Sequence, residues 1–462
     1  MRSKYPSILF LVVVVLAVVP AVTGCDREPQ TTRSSPSRMP IGVLAETTLL
    51  ATIGDQEEPD STDPALGDKP AFQIFFNERG RGVAYIAKTA GGVHVVHNGM
   101  GGRPYEKFFN LSMSPDGQRI AYSVLSKDGM QRLVLDRREG QSFDDIGRII
   151  FSPDGKHVAY KVIEKEKLYV VVDDNISNGY STYNGNPVFS ADSTKVAYAE
   201  GVDGDRRPRL VISDLMFRKY VIKEASGDLM VVNDARTRIA TVNIIQNKQR
   251  VIEFSFDQPD VVKEGPLYDT ISQPTFGSDG VSVSYAAVRG KTRLLVLNGR
   301  EVPLPDDPMV AMPVVARDQR GAAAIMANVE VMLAPQALYY DGKTGKQYNE
   351  ISHLVHTRDG SRHAYGAMKG QHWLVVVNGK EGPMFDIIVS PMFSPDGKRL
   401  VYRVRKDGKR FVVVADATGR ILRRHPAYEM VFETVFTDDG TSIAYGVKDG
   451  QKLIWKVEKL LN

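Results

Sequence analysis

The chain has 462 residues, 59 Lys and Arg against 55 Asp and Glu, and a formal net charge of +4. Charges of both signs are interspersed, with no basic stripe of the kind that tracks a phosphate backbone, so a nucleic-acid partner is not expected. Cys25 is the only cysteine, which excludes an intramolecular disulfide framework and a thiolate metal centre.

The first 24 residues read as a processing segment. Arg2 and Lys4 are followed by twelve apolar residues at 8–19. As a helix they would rise only about 18 Å, too short for a hydrocarbon core of about 30 Å. Val22-Thr23-Gly24-Cys25 resembles the lipobox of bacterial lipoproteins. The resemblance implies cleavage before Cys25, diacylglycerol on its thiol and acylation of its new amino group. More than one acyl chain gives stable anchoring. Residues 26–40 (DREPQTTRSSPSRMP) are rich in Pro, Ser and Thr and read as a flexible tether. Residues 41–52 (IGVLAETTLLAT) read as a strand able to complete the last repeat unit. The polar stretch 54–70 reads as a surface loop or second linker. The expected division is therefore 1–24 as signal peptide, 25–70 as lipidated cysteine, tether and N-terminal segment, and 71–462 as the repeat domain.

Ten copies of a short pattern run from 76 to 436, nine intervals over 360 residues with a mean of 40. The clearest are FSPDGKHVAY at 151–160 and FSPDGKRLVY at 393–402; VNDARTRIAT at 232 and VARDQRGAAA at 315 are degenerate. In the unit at 393, a short apolar strand leads into Ser394-Pro395-Asp396-Gly397. Ser accepts a backbone hydrogen bond, Pro presets φ and Gly closes the turn. An alternating strand through Leu400, Tyr402 and Val404 follows, then a Lys406-Asp407-Gly408 hairpin signal and the β-branched run 411–414. Asn98-Gly99, Asn298-Gly299 and Asn378-Gly379 mark a third hairpin in other units. A weaker fourth strand is expected near 421–424. The fold class is thus all-β: a β-propeller of about ten four-stranded units, a single large ring being favoured over two smaller ones, since no linker separates the units.

The consensus F-S-P-D-G-K-x-x-A-Y resembles the WD40-like repeat of the TolB propeller, over about residues 70–457. TolB carries an α/β domain before a six-bladed propeller, which this sequence does not match, so a TolB-like role in an envelope complex is analogy alone.

No nucleophile elbow, phosphate-cradling loop or H-E-x-x-H motif is present, and no catalytic residue, metal or cofactor is expected. His353, His356, His363 and His372 fall in one unit. His353 and His356 alternate faces on a strand, and His356 fills the place held by Phe elsewhere, which reads as a core substitution. The Asp of the repeated turn (Asp116, Asp154, Asp396) reads as structural.

One further pattern precedes each first strand: an aromatic followed by an acid or Asn. The pairs are Tyr105-Glu106, Phe143-Asp144, Tyr268-Asp269, Tyr348-Asn349, Phe385-Asp386 and Tyr428-Glu429. They lie on the connections between units, on the face of a propeller that binds ligands. Two roles are open. The aromatic packs between units while the carboxylate caps a backbone N–H, or the carboxylates form a ring that attracts a cation or basic partner. The expected function is a non-catalytic, lipid-anchored envelope scaffold that binds a protein or other envelope ligand, on the periplasmic or outer side. The alternative is an envelope enzyme of the glycan hydrolase or lyase type, built on inter-unit loops.

Overall fold

The computed structural model describes residues 47–460, apart from 56–57, 60–73, 78–79, 90–91, 180–184, 202–208, 225, 278, 305–322, 328–334, 341–342, 358–359 and 438. The described residues form ten antiparallel sheets and no helix. Numbered along the chain, blade 1 spans 58–101 and blade 2 spans 107–143. Blades 3 to 6 span 145–176, 188–224, 226–264 and 270–303. Blades 7 to 10 span 323–348, 350–385, 387–424 and 430–459. Most are four-stranded meanders in sequence order.

Thr47–Thr52 is the fourth strand of blade 10, antiparallel to Lys452–Lys459, with Thr48 opposite Trp455 and Ala51 opposite Leu453. The N-terminal strand therefore completes the last blade, as its sequence suggests; residues 41–46 lie outside the described residues, as do Cys25 and the whole lipobox. Of the stretch 54–70, expected as a surface loop or second linker, residues 56–57 and 60–70 lie outside the described residues. Glu58–Pro59 pairs with the upper end of Val83–Thr89, beyond the pairing of Ile74–Phe76 with the same strand. It supplies a second short strand at the inner edge of blade 1.

Ten hydrophobic clusters join the sheets in order, and they close the ring. Ala84 and Val95 of blade 1 meet Ile120 and Tyr122 of blade 2. Ala121 and Leu133 of blade 2 meet Ile146 and Tyr160 of blade 3. The succession continues through every neighbour to blades 9 and 10. Ala51 and Leu453 of blade 10 then pack on Val83, Tyr85 and Val96 of blade 1. Phe76 lies 4.8 Å from Phe432 and 6.2 Å from Trp455 across this seam.

The Ala-Tyr end of the motif explains the stacking. Adjacent residues of a strand point to opposite faces. Ala121 faces blade 3 while Tyr122 faces blade 1. Ala159 and Tyr160, Ala197 and Tyr198, and Ala364 and Tyr365 divide in the same way. Every such interface thus takes one small and one large residue from the second strands, and sheets that could not stand alone bury both faces.

The turn chemistry follows the sequence. Ser394 Oγ donates to Asp396 Oδ1 at 2.6 Å and accepts from Arg399 N at 2.9 Å, while Gly397 N donates to Ser394 O at 2.8 Å. The same set recurs at Ser152-Asp154 and Ser190-Asp192. The Ser394 hydroxyl holds the Asp396 carboxyl below the usual range, and the backbone N–H of Lys398 adds to this. The repeated Asp is thus spent on its own turn. Asn98-Gly99, Asn298-Gly299 and Asn378-Gly379 all adopt positive φ. The first and last of these Asn also accept the N–H that starts their second strand, Val83 and His363, at 2.9 and 2.8 Å.

Candidate functional site

Strand directions alternate, so the two faces of the ring differ. The Ser-Pro-Asp-Gly turns and third hairpins lie on one face, the turn face. The second hairpins and the connections between blades lie on the other, the hairpin face. First strands of neighbouring blades lie side by side, as 107–113 and 145–151 do, and line the centre.

The aromatic-acid pairs fall on the hairpin face, and each half has a separate task. Phe143, Tyr268, Tyr348 and Phe385 are buried between blades. Tyr268 meets Tyr285 edge-to-face at 6.0 Å, Tyr348 meets Tyr365 at 6.1 Å and Phe385 meets Tyr402 at 6.3 Å. Such tilted pairs add about 1 kcal/mol to simple burial. Tyr105 and Tyr428 are half-buried and pair with the third strand of the preceding blade, at Val93 and Arg410. Three of these tyrosines reach a glutamate of the fourth strand: Tyr105 Oη donates to Glu139 at 2.9 Å, Tyr268 to Glu301 at 2.8 Å and Tyr348 to Glu381 at 3.2 Å. Burial and the acceptor Glu301 push the Tyr268 hydroxyl up to about 12, so it stays a donor.

The acids cap hairpins. Asp144 Oδ2 accepts Lys165 N at 2.7 Å, Asp269 Oδ2 accepts Gly290 N at 2.6 Å, Asn349 Oδ1 accepts Gly370 N at 2.8 Å and Asp386 Oδ2 accepts Asp407 N at 3.0 Å. Each acceptor lies 21 residues before its donor. All four donors have positive φ. The first central N–H of such a turn has no partner in the strand ladder, so a side-chain acceptor satisfies it. The Lys248 ammonium, with the Gly290 N–H, holds Asp269 below the usual carboxylate range. Glu429 is one methylene longer and pairs with Lys448 instead. Glu106 is exposed beside a longer loop, 126–130.

A second feature escaped the sequence pattern. The first strands of blades 2, 3, 8, 9 and 10 each carry a bulge in their pairing with the second strand. It falls at Asn110, Arg148, His353, Ser390 and Glu433 or their immediate neighbours. His353 and Ser390 take positive φ there, rare for residues with a side chain. Asn110 Nδ2 donates to Ile146 O at 2.9 Å and ties one inner strand to the next. Arg148 and His353 are exposed. The available signal was a polar residue three positions before the motif start in each of these five strands.

His356 is half-buried, with its ring against a neighbouring aromatic. Its ring lies 5.6 Å from Tyr340, and His363 lies 4.2 Å from the same ring.

A closed ring of four-stranded blades around a line of first strands decides the architecture. The chain is a β-propeller. No family model and no curated protein matches it. Among solved structures, it is similar to the eukaryotic initiation factor, at 12% identity over 82% of this chain and 99% of that one, with a TM-score of 0.42. The Dos1 propeller matches at 11% identity over 76% and 91%, with a TM-score of 0.35. TolB from Acinetobacter baumannii matches at 12% identity over 74% and 80%, with a TM-score of 0.24. Likeness at this level carries no argument about what the propeller binds or does.

Proposed function

We propose that the propeller is a lipid-anchored scaffold of the bacterial cell envelope, on the periplasmic or outer side, whose hairpin face binds a protein or other envelope ligand. The observation that carries this reading is the recurring cap from connection to hairpin. It fixes the loops of blades 3, 6, 8 and 9 in one geometry, and a face fixed in advance loses little entropy on binding. Residues 105–106, 143–144, 268–269, 348–349, 385–386 and 428–429 are the proposed frame of that face. Anchoring is supported by the lipobox at Cys25, which leaves a short tether before the closing strand at Thr47. Capture from crosslinked membranes tests the reading. A stoichiometric envelope partner is expected for wild type, and none for a Cys25→Ala variant that takes up no labelled fatty acid. If wild type takes up no label, the anchor is wrong. If it captures nothing, the scaffold reading fails in favour of an enzyme.

A further inference from the structure

On the turn face, six blades reach across to their successors through one recurring bond. The carbonyl of the fifth motif residue, usually Gly, accepts a donor from the blade before it. Gly117 O accepts from His97 Nε2 at 3.0 Å and Asn98 Nδ2 at 3.1 Å. Gly280 O accepts from Asn233 Nδ2 at 2.9 Å, Gly360 O from Tyr340 Oη at 2.8 Å and Gly397 O from Arg362 Nη1 at 3.3 Å. Between blades 4 and 5 the backbone does it, Ala191 N to Arg236 O at 3.0 Å.

The step from blade 2 to blade 3 shows the arrangement most fully. Arg119 Nε is held by Asp136 Oδ2 at 2.7 Å. The far end of the same guanidinium donates to Gly155 O at 3.1 Å and Lys156 O at 2.6 Å. One blade on, His157 stands in the place of Arg119 and Asp173 in the place of Asp136. The anchoring contact survives, His157 Nδ1 to Asp173 Oδ2 at 2.7 Å. An imidazole ends there, however, and has no second arm to reach the carbonyls of Ser193 and Thr194.

A recess of about 310 Å³ opens at this step, lined among others by Asp154, His157, Asp192, Ser193, Thr194 and Met216. Two further departures from the repeat meet in it. Ser193 replaces Gly at a φ of 63°, a conformation that costs a residue with a side chain. Its hydroxyl accepts Asp154 N at 3.1 Å and takes over the tie between the blades. Met216 is 65% exposed at the rim, an apolar wall for an alkyl stem. Arg218, also at the recess, is held by Asp214 at 2.5 Å. Burial opposes ionisation of Asp154 and Asp192, but their turn hydrogen bonds outweigh it and keep both carboxylates charged.

We infer that the recess between blades 3 and 4 is a binding site for a guanidinium group from outside, the side chain of an arginine in a polypeptide partner. It would take in trans the place that Arg119 fills in cis one step earlier, donating to the Ser193 and Thr194 carbonyls with its stem on Met216. The site lies on the turn face, so it is separate from the hairpin face proposed above; a protein that binds arginine but captures no envelope partner leaves it standing.

Calorimetric titration of the full chain with N-acetyl-arginine amide tests it, with N-acetyl-citrulline amide as the uncharged match. Wild type should bind one arginine amide, at least about tenfold more tightly than citrulline amide. His157→Arg supplies the guanidinium internally, so it should melt higher and lose the site. Arg119→His should open a second recess and raise the stoichiometry from one to two. Absence of binding by wild type, or wild-type binding by a folded His157→Arg protein, overturns the inference. So does a folded Arg119→His protein that still binds only one.

Discussion

Asp144 Oδ2 accepts the backbone N–H of Lys165 at 2.7 Å, 21 residues further on and at the first left-handed position of the hairpin in its own blade. The contact explains why an acid or Asn recurs directly before the first strand. It holds down a turn whose φ angles, 50° at Lys165 and 64° at Glu166, are unfavourable for side-chain-bearing residues.

Removing the cap should therefore destabilise. Asp144→Ala and Asp386→Ala should each cost about 1 kcal/mol, read by chemical denaturation. The Asp144, Asp269 and Asp386 triple change to Asn is the sharper experiment. Capping predicts a modest loss of stability with partner binding intact, because Asn still accepts. An equally stable triple variant that fails to bind would assign these residues to a charged ring instead.

The strain at Lys165 and Glu166 can be relieved. Asn-Gly tolerates positive φ at both positions and stands at the third hairpins of blades 1, 6 and 8. Replacing Lys165-Glu166 by Asn-Gly should stabilise by about 1 kcal/mol. An unchanged thermal midpoint would contradict the strain.

Gly397→Val and Gly290→Val should differ in degree. Gly397 has φ of 69° and a Cβ there would sit 3.2 Å from the Thr357 methyl of the preceding blade. Gly290 has φ of 62° and open space around it. Both should lose roughly 1–3 kcal/mol to backbone strain, Gly397 the more. Equal midpoints to wild type for both would remove the turn-strain argument.

Acid should unfold the propeller through blade 8. Burial pushes His356 down from 6.5 to about 3 and also lowers His363. The unfolded chain binds a proton at His356 from about pH 6.5 downward and the folded chain does not until about pH 3. Stability should therefore fall as pH drops through this window, by up to about 1.4 kcal/mol per unit from His356. His356→Phe restores the aromatic of the better repeats and should flatten that part of the pH profile. An unaltered profile would place the acid sensitivity elsewhere.

The blades were legible because the local signals agree: Ser-Pro-Asp-Gly makes the first turn, Asn-Gly the third, and Ala-Tyr sorts small and large residues to opposite faces. Closure was legible only in outline, since that Thr48 lies opposite Trp455 depends on contacts spanning the whole chain. The acid positions were visible as a repeat, but their partners were not, because a cap depends on which N–H a turn leaves unpaired. The recess at His157 was hidden for the opposite reason: it is a departure from the repeat, and a consensus reading treats departures as noise. The bulges at His353 and Ser390 recur at one position, but a bulge depends on the register between two strands, which neither strand states alone.

Ring closure by the N-terminal strand is tested most directly by a cross-strand disulfide. Thr47 and Lys456 are directly opposed in the closing pair, and opposed strand residues fall within disulfide reach. In a Cys25→Ser background, Thr47→Cys with Lys456→Cys should oxidise spontaneously to an intramolecular disulfide, leave no free thiol and raise the melting temperature. Two free, titratable thiols in the folded protein would show that this strand does not close the ring.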